Sequence, residues 1–144
     1  EYEAQAAIQL EALLTRDLHI TQHFPYNLIE ENNQLVIDYR PIIKELLYEI
    51  SSKKPVLAEI SRRFHSTIVH IIISVCKRLS ESLGTNQVVL SGGVFLNEFI
   101  LLNAVEGLNA AGLKPYFHHC VPTNDGGISL GQIVVASAQT KNHA

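Results

Sequence analysis

Methionine is absent from the 144 residues, and the only two cysteines, Cys76 and Cys120, stand far apart with no Cys-x-x-Cys spacing. That excludes a disulfide scaffold and a zinc knuckle as organising devices, and it fits a reducing, cytoplasmic setting. Lys and Arg total 11 against 14 Asp and Glu, so the net charge of −3 lacks the basic surface that grips a nucleic-acid backbone. A membrane-spanning helix takes about 20 apolar residues. The richest apolar run, Ile68 to Val75, is broken by His70 and Ser74. Neither nucleic acid nor membrane is therefore expected as a partner. Internal repeats and low-complexity tracts are also missing. The lack of methionine, with a start at Glu1 inside a helical pattern, reads as the mark of a piece excised from a longer polypeptide.

What is present is an ordinary globular composition, 47% hydrophobic and 17% charged, enough for one domain over residues 1–144. Tyr2 to Leu14 is alanine-rich, with Ala7, Leu10 and Leu14 on one helical face. His19 to Asn33 is polar, holds Pro25 and two adjacent asparagines, and reads as a surface connection. Leu35 to Tyr39 alternates as an edge strand would. Pro41 suits the first turn of a helix whose stripe is Ile42, Ile43, Leu46, Leu47 and Ile50, broken by Ser51 to Pro55. From Val56 to Leu83 apolar residues recur at threes and fours, predicting the longest and most buried helix, lying across the sheet and closed by Gly84.

The stretch Gln87 to Gly131 carries the organisation. Val88, Val89 and Leu90 form a short apolar run suited to a buried parallel strand, ended by Ser91, Gly92 and Gly93. Two glycines let the backbone turn tightly and approach a ligand. Asn97 to Asn109 reads as a helix stopped by Gly112, Pro115 to His118 as a returning strand, and Pro122 to Gly127 as a polar turn opening a helix over Ile128 to Ala138. Two polar turns then share the carboxyl edge of neighbouring strands, where open α/β sheets bind ligands. The fold class is α/β, a small sheet packed by helices, and three strands make so thin a sheet that partner strands are expected outside the chain.

The site residues each carry two readings. Asp125 reads as the N-cap of the last helix and as a hard oxygen ligand for a divalent ion, two roles that do not exclude each other. The Ser91-Gly92-Gly93 turn is either a tight connection with Asn97 capping the next helix, or a surface whose backbone amides face phosphate or sugar oxygens. Seven histidines invite a metal reading. His65 and His70 are five apart on one helix, about 140° around its axis, and suit structural roles, His65 hydrogen-bonded beside Phe64. His118 and His119 are adjacent on a strand and point to opposite faces. His118 and Cys120 share a face but lack a third ligand.

Four collinear segments, YEAQAAIQLEAL, RRFHSTIV, SGGVFLNEFIL and VPTNDGGISLGQIVVA, resemble the C-terminal part of the HypF family, the carbamoyltransferases of [NiFe]-hydrogenase maturation. The resemblance implies the second lobe of an actin-like ATPase (ribonuclease H-like) fold, with half of a nucleotide cleft. It implies that Gly92, Gly93 and Val94 line ATP, that Asn97 hydrogen-bonds its sugar or base, and that Glu3, in a YEA segment where related proteins more often have YEG, lies near it. It makes Asp125 a ligand of a divalent metal (zinc, iron or magnesium), with the remaining ligands outside the chain. The implied chemistry consumes ATP and carbamoyl phosphate, forms a carbamoyl-adenylate and passes the carbamoyl group to the C-terminal cysteine of the maturation protein HypE. Cys76 and Cys120 are then dispensable and buried. The chain alone is expected to be inactive. The alternatives are a threonylcarbamoyl transferase or small-molecule kinase of the same superfamily, or a non-catalytic assembly lobe.

Overall fold

The computed structural model describes residues 2, 4–14, 19–32 and 34–141. It divides into two compact units, Glu1–Val75 and Cys76–Ala144. The elements are α1 (Gln5–Ala12), β1 (Asn27–Glu31), β2 (Gln34–Asp38), α2 (Arg40–Ile50), α3 (Leu57–Leu83), β3 (Gln87–Leu90), α4 (Glu98–Ala110), β4 (Lys114–Phe117) and α5 (Ile128–Lys141). Short 3-10 turns at Gly93–Leu96 and Asp125–Gly127 open α4 and α5. The class is mixed α/β, as the sequence predicts. The strands form two separate two-stranded sheets instead of one, β1 with β2 and β3 with β4.

The first unit departs from its sequence reading between His19 and Asn33. Residues 27–31 are a strand, paired antiparallel with β2 from Asn27↔Asp38 to Glu31↔Gln34. Asn32 follows β1 in a turn and adopts φ 52, a left-handed conformation that asparagine tolerates. Only Leu28 and Ile29 of β1 are half-buried among polar neighbours, so no alternation announces the strand. β2 also lacks the expected alternation: Leu35 and Val36 are both half-buried, and Tyr39 lies beyond the strand and is exposed.

The stretch before β1 is laid along α3. Phe24 is completely buried and clusters with Ile42 and Ile60, against which Tyr26, Leu46, Phe64 and Ile71 pack. Burying a phenylalanine contributes about 1.5–3 kcal/mol, which gives this polar-looking segment its anchor. The Arg63 guanidinium covers the Phe24 ring at 4.3 Å and pairs with Glu45 and Glu49 of α2. α3 is the longest helix, as predicted, but α4 has the larger share of buried residues, and four of the six buried residues of α3 are polar: Ser61, His65, Ser66 and Thr67. Burying such groups is costly unless each finds a partner. Thr21 N–H donates to Ser66 Oγ at 3.0 Å, and Phe24 N–H donates to Thr67 Oγ1 at 2.8 Å. Ser61 Oγ donates to the Leu10 carbonyl of α1 at 2.6 Å. The polar residues of α3 therefore fasten α1 and the extended segment to the helix.

α2 begins as proline chemistry predicts, with Pro41 in its first turn. No residue caps it in the usual position; Asp38 Oδ1 accepts the Arg40 N–H at 3.1 Å instead. Of the expected stripe, Ile42 is buried and Leu46 half-buried, whereas Ile43, Leu47 and Ile50 are exposed.

In the second unit β3 and β4 pair in parallel, from Gln87↔Lys114 to Leu90↔Phe117, joined through α4. Leu90, Phe99, Ile100, Ala104, Leu108 and Leu113 form the buried set. Asn97 Oδ1 accepts the Ile100 N–H at 3.0 Å, the expected cap on α4. Val89 does not follow the fully buried reading: it is exposed, and the strand alternates, with Leu90 inward. β4 stops at Phe117, so His118 and His119 follow the strand instead of lying within it.

Candidate functional site

Strands β3 and β4 run parallel, and the turns after them meet at their carboxyl ends. Gly92 N–H donates to the Thr123 carbonyl at 2.9 Å, and Thr123 Oγ1 donates to the Gly92 carbonyl at 3.2 Å. This reciprocal pair ties the glycine turn to the Pro122-to-Gly127 turn. Gly92 has φ 108 and ψ 162, a region only glycine visits at little cost. Gly93 faces Asn124, whose Cβ would lie 3.9 Å from a Cβ added at Gly93. At Gly127 an added Cβ would stand 2.8 Å from the Pro122 carbonyl oxygen, so the second turn closes only with glycine there.

The readings of Asp125 can now be separated locally. It opens the 3-10 turn Asp125–Gly127, but the capping side chain belongs to Asn124, whose Oδ1 accepts the Gly126 N–H at 3.2 Å. The cap expected of Asp125 is thus displaced by one residue, because the extended backbone of Asn124 aims its amide oxygen at the turn. The Asp125 side chain is exposed, and among the described residues no hydrogen bond or ion pair engages its carboxylate. Such a carboxylate is a chemically suitable hard oxygen donor for a divalent ion. Among the described residues no three His, Cys, Asp or Glu side chains converge on a metal-sized point, so any ion at Asp125 would need ligands from beyond these residues.

Of the other sequence-predicted residues, Gly92 and Asn97 are half-buried, and Gly93 and Val94 are exposed on the 3-10 turn. The fold thus brings Gly92, Gly93, Val94, Asn97 and Asp125 onto two connected turns. Glu3 lies outside the described residues. Sequence reasoning missed the part of Thr123, which makes the link, and that of Asn124. It also missed a hydrogen bond between Ser91 Oγ and His118 Nε2 at 3.1 Å, across the ends of the two strands. The parallel register foretells that pair, since Ser91 and His118 directly follow the Leu90↔Phe117 partners.

His23, His65, His70 and His119 have structural surroundings. His65 is buried, its Nδ1 within 2.8 Å of the Ser61 carbonyl and its ring edge-on to Phe64, as expected. His70 is exposed, bonded through Nδ1 to the Tyr26 hydroxyl at 2.7 Å and stacked on His23 at 4.0 Å. Desolvation, then the neighbouring His23, pushes the His70 pKa below its ordinary value. The His119 ring tilts against Phe117 at 4.4 Å. Cys76 is half-buried, and desolvation raises its thiol pKa; Cys120 is exposed, contrary to the burial expected of it, because it follows the end of β4. A groove of about 670 Å³ in the first unit is lined by Thr21, Gln22, Glu59, Arg62 and Arg63 among others, and holds none of the sequence-predicted residues.

Residues 1–132 match the family model described as "Carbamoyltransferase, Kae1-like Domain, second subdomain". The chain belongs to that family. It is 34% identical over 133 residues to the carbamoyltransferase HypF of Synechocystis sp., covering 92% of this chain and 16% of that protein. The carbamoyltransferase HypF of Rhizobium leguminosarum bv. viciae is 30% identical over 132 residues, again 92% of this chain and 16% of the relative. The chain therefore spans about a sixth of the length of these relatives. The crystal structure of full-length HypF in the phosphate- and nucleotide-bound form superposes with a TM-score of 0.81 at 34% identity, over 94% of this chain and 17% of that one. HypF of T. kodakarensis shares the fold, with a TM-score of 0.64 at 21% identity over 98% of this chain and 18% of that one. Membership in the family and the HypF-type α/β fold accord with the resemblance in the four sequence segments. No helix among the described residues is long and apolar enough to cross a membrane.

Proposed function

We propose that this subdomain forms one wall of a cytoplasmic carbamoyltransferase site that binds ATP and a divalent metal. The reaction consumes ATP and carbamoyl phosphate, forms a carbamoyl-adenylate, and transfers the carbamoyl group to the C-terminal cysteine thiolate of HypE. What supports the reading, beyond family membership, is the pair of turns coupled through Gly92 and Thr123, which joins a glycine surface to the turn bearing Asp125.

The chain's own residues then have distinct tasks. Gly92 and Gly93 offer a side-chain-free surface to the nucleotide, and Val94 lines it. Asn97 Oδ1 is held by the α4 cap, so its amide nitrogen is the group that donates to sugar or base. Glu3 is proposed to lie near the nucleotide. Asp125 holds the metal, whether zinc, iron or magnesium, and the metal when bound polarises phosphoryl oxygens. The protein's contribution is positioning by a preformed turn, and the attacking sulfur arrives on the partner. No nucleophile is required from this chain, so Cys76 and Cys120 remain dispensable.

The test supplies ATP, carbamoyl phosphate and HypE to the complete gene product carrying this domain and reads the mass of HypE's C-terminal peptide. A carbamoyl adduct is expected with the complete product and none with the 144-residue chain alone. Absence of the adduct with an active, folded preparation, or full transfer by the isolated chain, would refute the proposal.

A further inference from the structure

The turns at the candidate site hold no lysine or arginine. Neither Ser91 to Asn97 nor His118 to Gly127 contains one, and Lys114 sits at the opposite end of β4, about 10 Å away at the rise of a strand. Phosphoryl oxygens brought to these turns would meet the carboxylate of Asp125 and, at the first turn of α4, that of Glu98. An anion needs compensating charge or strong donors, and the side chains here able to provide them are few. His119 is turned against the Phe117 ring. Cys120 is a weak donor. Thr123 Oγ1 is committed to the Gly92 carbonyl, and the amides of Asn97 and Asn124 are neutral donors. The remaining side chain able to gain positive charge is His118, paired with Ser91, both exposed, with Oγ and Nε2 3.1 Å apart on adjacent strand ends.

We propose that Ser91 and His118 together form the phosphoryl-oxygen contact of this site, and that ligand binding draws a proton onto the His118 imidazole. The inference rests on the nucleotide reading above and adds to it the residues that meet the phosphoryl group. Without ligand the hydroxyl and the ring satisfy one another. With a phosphoryl oxygen between them, Ser91 donates its O–H and the ring donates N–H, and a nearby anion favours the charged imidazolium. The titratable groups on these turns and at the first turn of α4 are Asp125, Glu98, His119 and Cys120. No bond between heavy atoms changes; the buffer acid gives up one proton, leaving its conjugate base, and that proton forms the second N–H of the ring as the anion binds. The same chemistry suits a nucleotide's phosphates or those of a small acyl phosphate.

Calorimetry on the complete gene product near neutral pH, in buffers of different ionisation enthalpy, counts the protons taken up with each probe. With ATP the wild-type protein is expected to take up protons, and with adenosine none. His118→Gln should bind ATP about tenfold more weakly, the loss of one charge-assisted hydrogen bond, take up no protons, and leave adenosine affinity unchanged. His118→Lys, carrying a fixed cation, should keep ATP affinity while losing the proton uptake. Ser91→Ala should weaken ATP binding by a smaller factor. Proton uptake with inorganic phosphate alone assigns the contact to a free or acyl phosphate; uptake with ATP only assigns it to the nucleotide. Wild-type ATP affinity and proton uptake in His118→Gln would overturn the inference and leave the nucleotide reading standing. Failure of both adenosine and ATP to bind the wild type would overturn both.

Discussion

Replacing Gly92 by alanine tests the geometry of the coupled turns, because an added methyl group meets nothing within 4 Å and the cost lies in the backbone alone. At φ 108 and ψ 162 an L-residue occupies a region essentially reserved for glycine, at about 1–3 kcal/mol. Relaxing to negative φ would turn the Gly92 N–H away from the Thr123 carbonyl and disturb the return bond from Thr123 Oγ1. Each lost bond costs about 0.5–1.5 kcal/mol, so relaxation offers no cheap escape. The net expectation is a destabilisation of about 2 kcal/mol, read as a fall of about 1 M in the urea midpoint. Gly131→Ala is the control, because it lies within α5 with nothing within 4 Å of an added Cβ. That change should stabilise by about 0.5–1 kcal/mol, since alanine is the better helix former. A Gly92→Ala variant with the wild-type midpoint, or the same shift from both variants, would refute the reasoning.

In the first unit, Thr67→Val should cost about 1–3 kcal/mol in the same denaturation assay, because it leaves the buried Phe24 N–H without its acceptor; Thr67→Ser should restore most of it. Asp38 predicts a pH effect at the start of α2. Its hydrogen bonds from the Arg40 side chain, which outweigh the desolvation that opposes them, hold its pKa at about 2 against an ordinary 3.8. A depressed carboxylate pKa favours the folded state above the unfolded value, and that contribution is lost as pH falls from about 3.8 through about 2. Amide exchange at the first turn of α2 should therefore accelerate across that window, and Asp38→Asn should remove the pH-dependent step. An unchanged step in the variant would assign it to another group.

Much of the second unit was legible because its signals are local. Asn97 sits where a cap belongs, Gly112 where α4 stops, and the apolar run at Val88 stands beside a glycine turn. The pairing of Ser91 with His118 and of Gly92 with Thr123 depends on strand register, which the sequence does not spell out. The first unit was harder for a physical reason. Phe24 is held against a separate helix by its own N–H, which donates to Thr67 Oγ1, and by the Thr21 N–H, which donates to Ser66 Oγ, and its polar neighbours gave no periodicity. The strand after it has only Leu28 and Ile29 half-buried, too short an apolar signal to stand out. The cap expected at Asp125 falls instead on Asn124, at the start of the 3-10 turn before α5, a matter of one residue's backbone angles.

The most direct test of the proposed site is a titration of ATP with and without a divalent metal into the complete gene product and its Asp125→Ala variant. The account predicts metal-strengthened nucleotide binding in the wild type and, in the folded variant, nucleotide binding that no longer responds to metal. Metal-dependent binding that survives unchanged in Asp125→Ala, or a wild-type protein that binds neither, would contradict it.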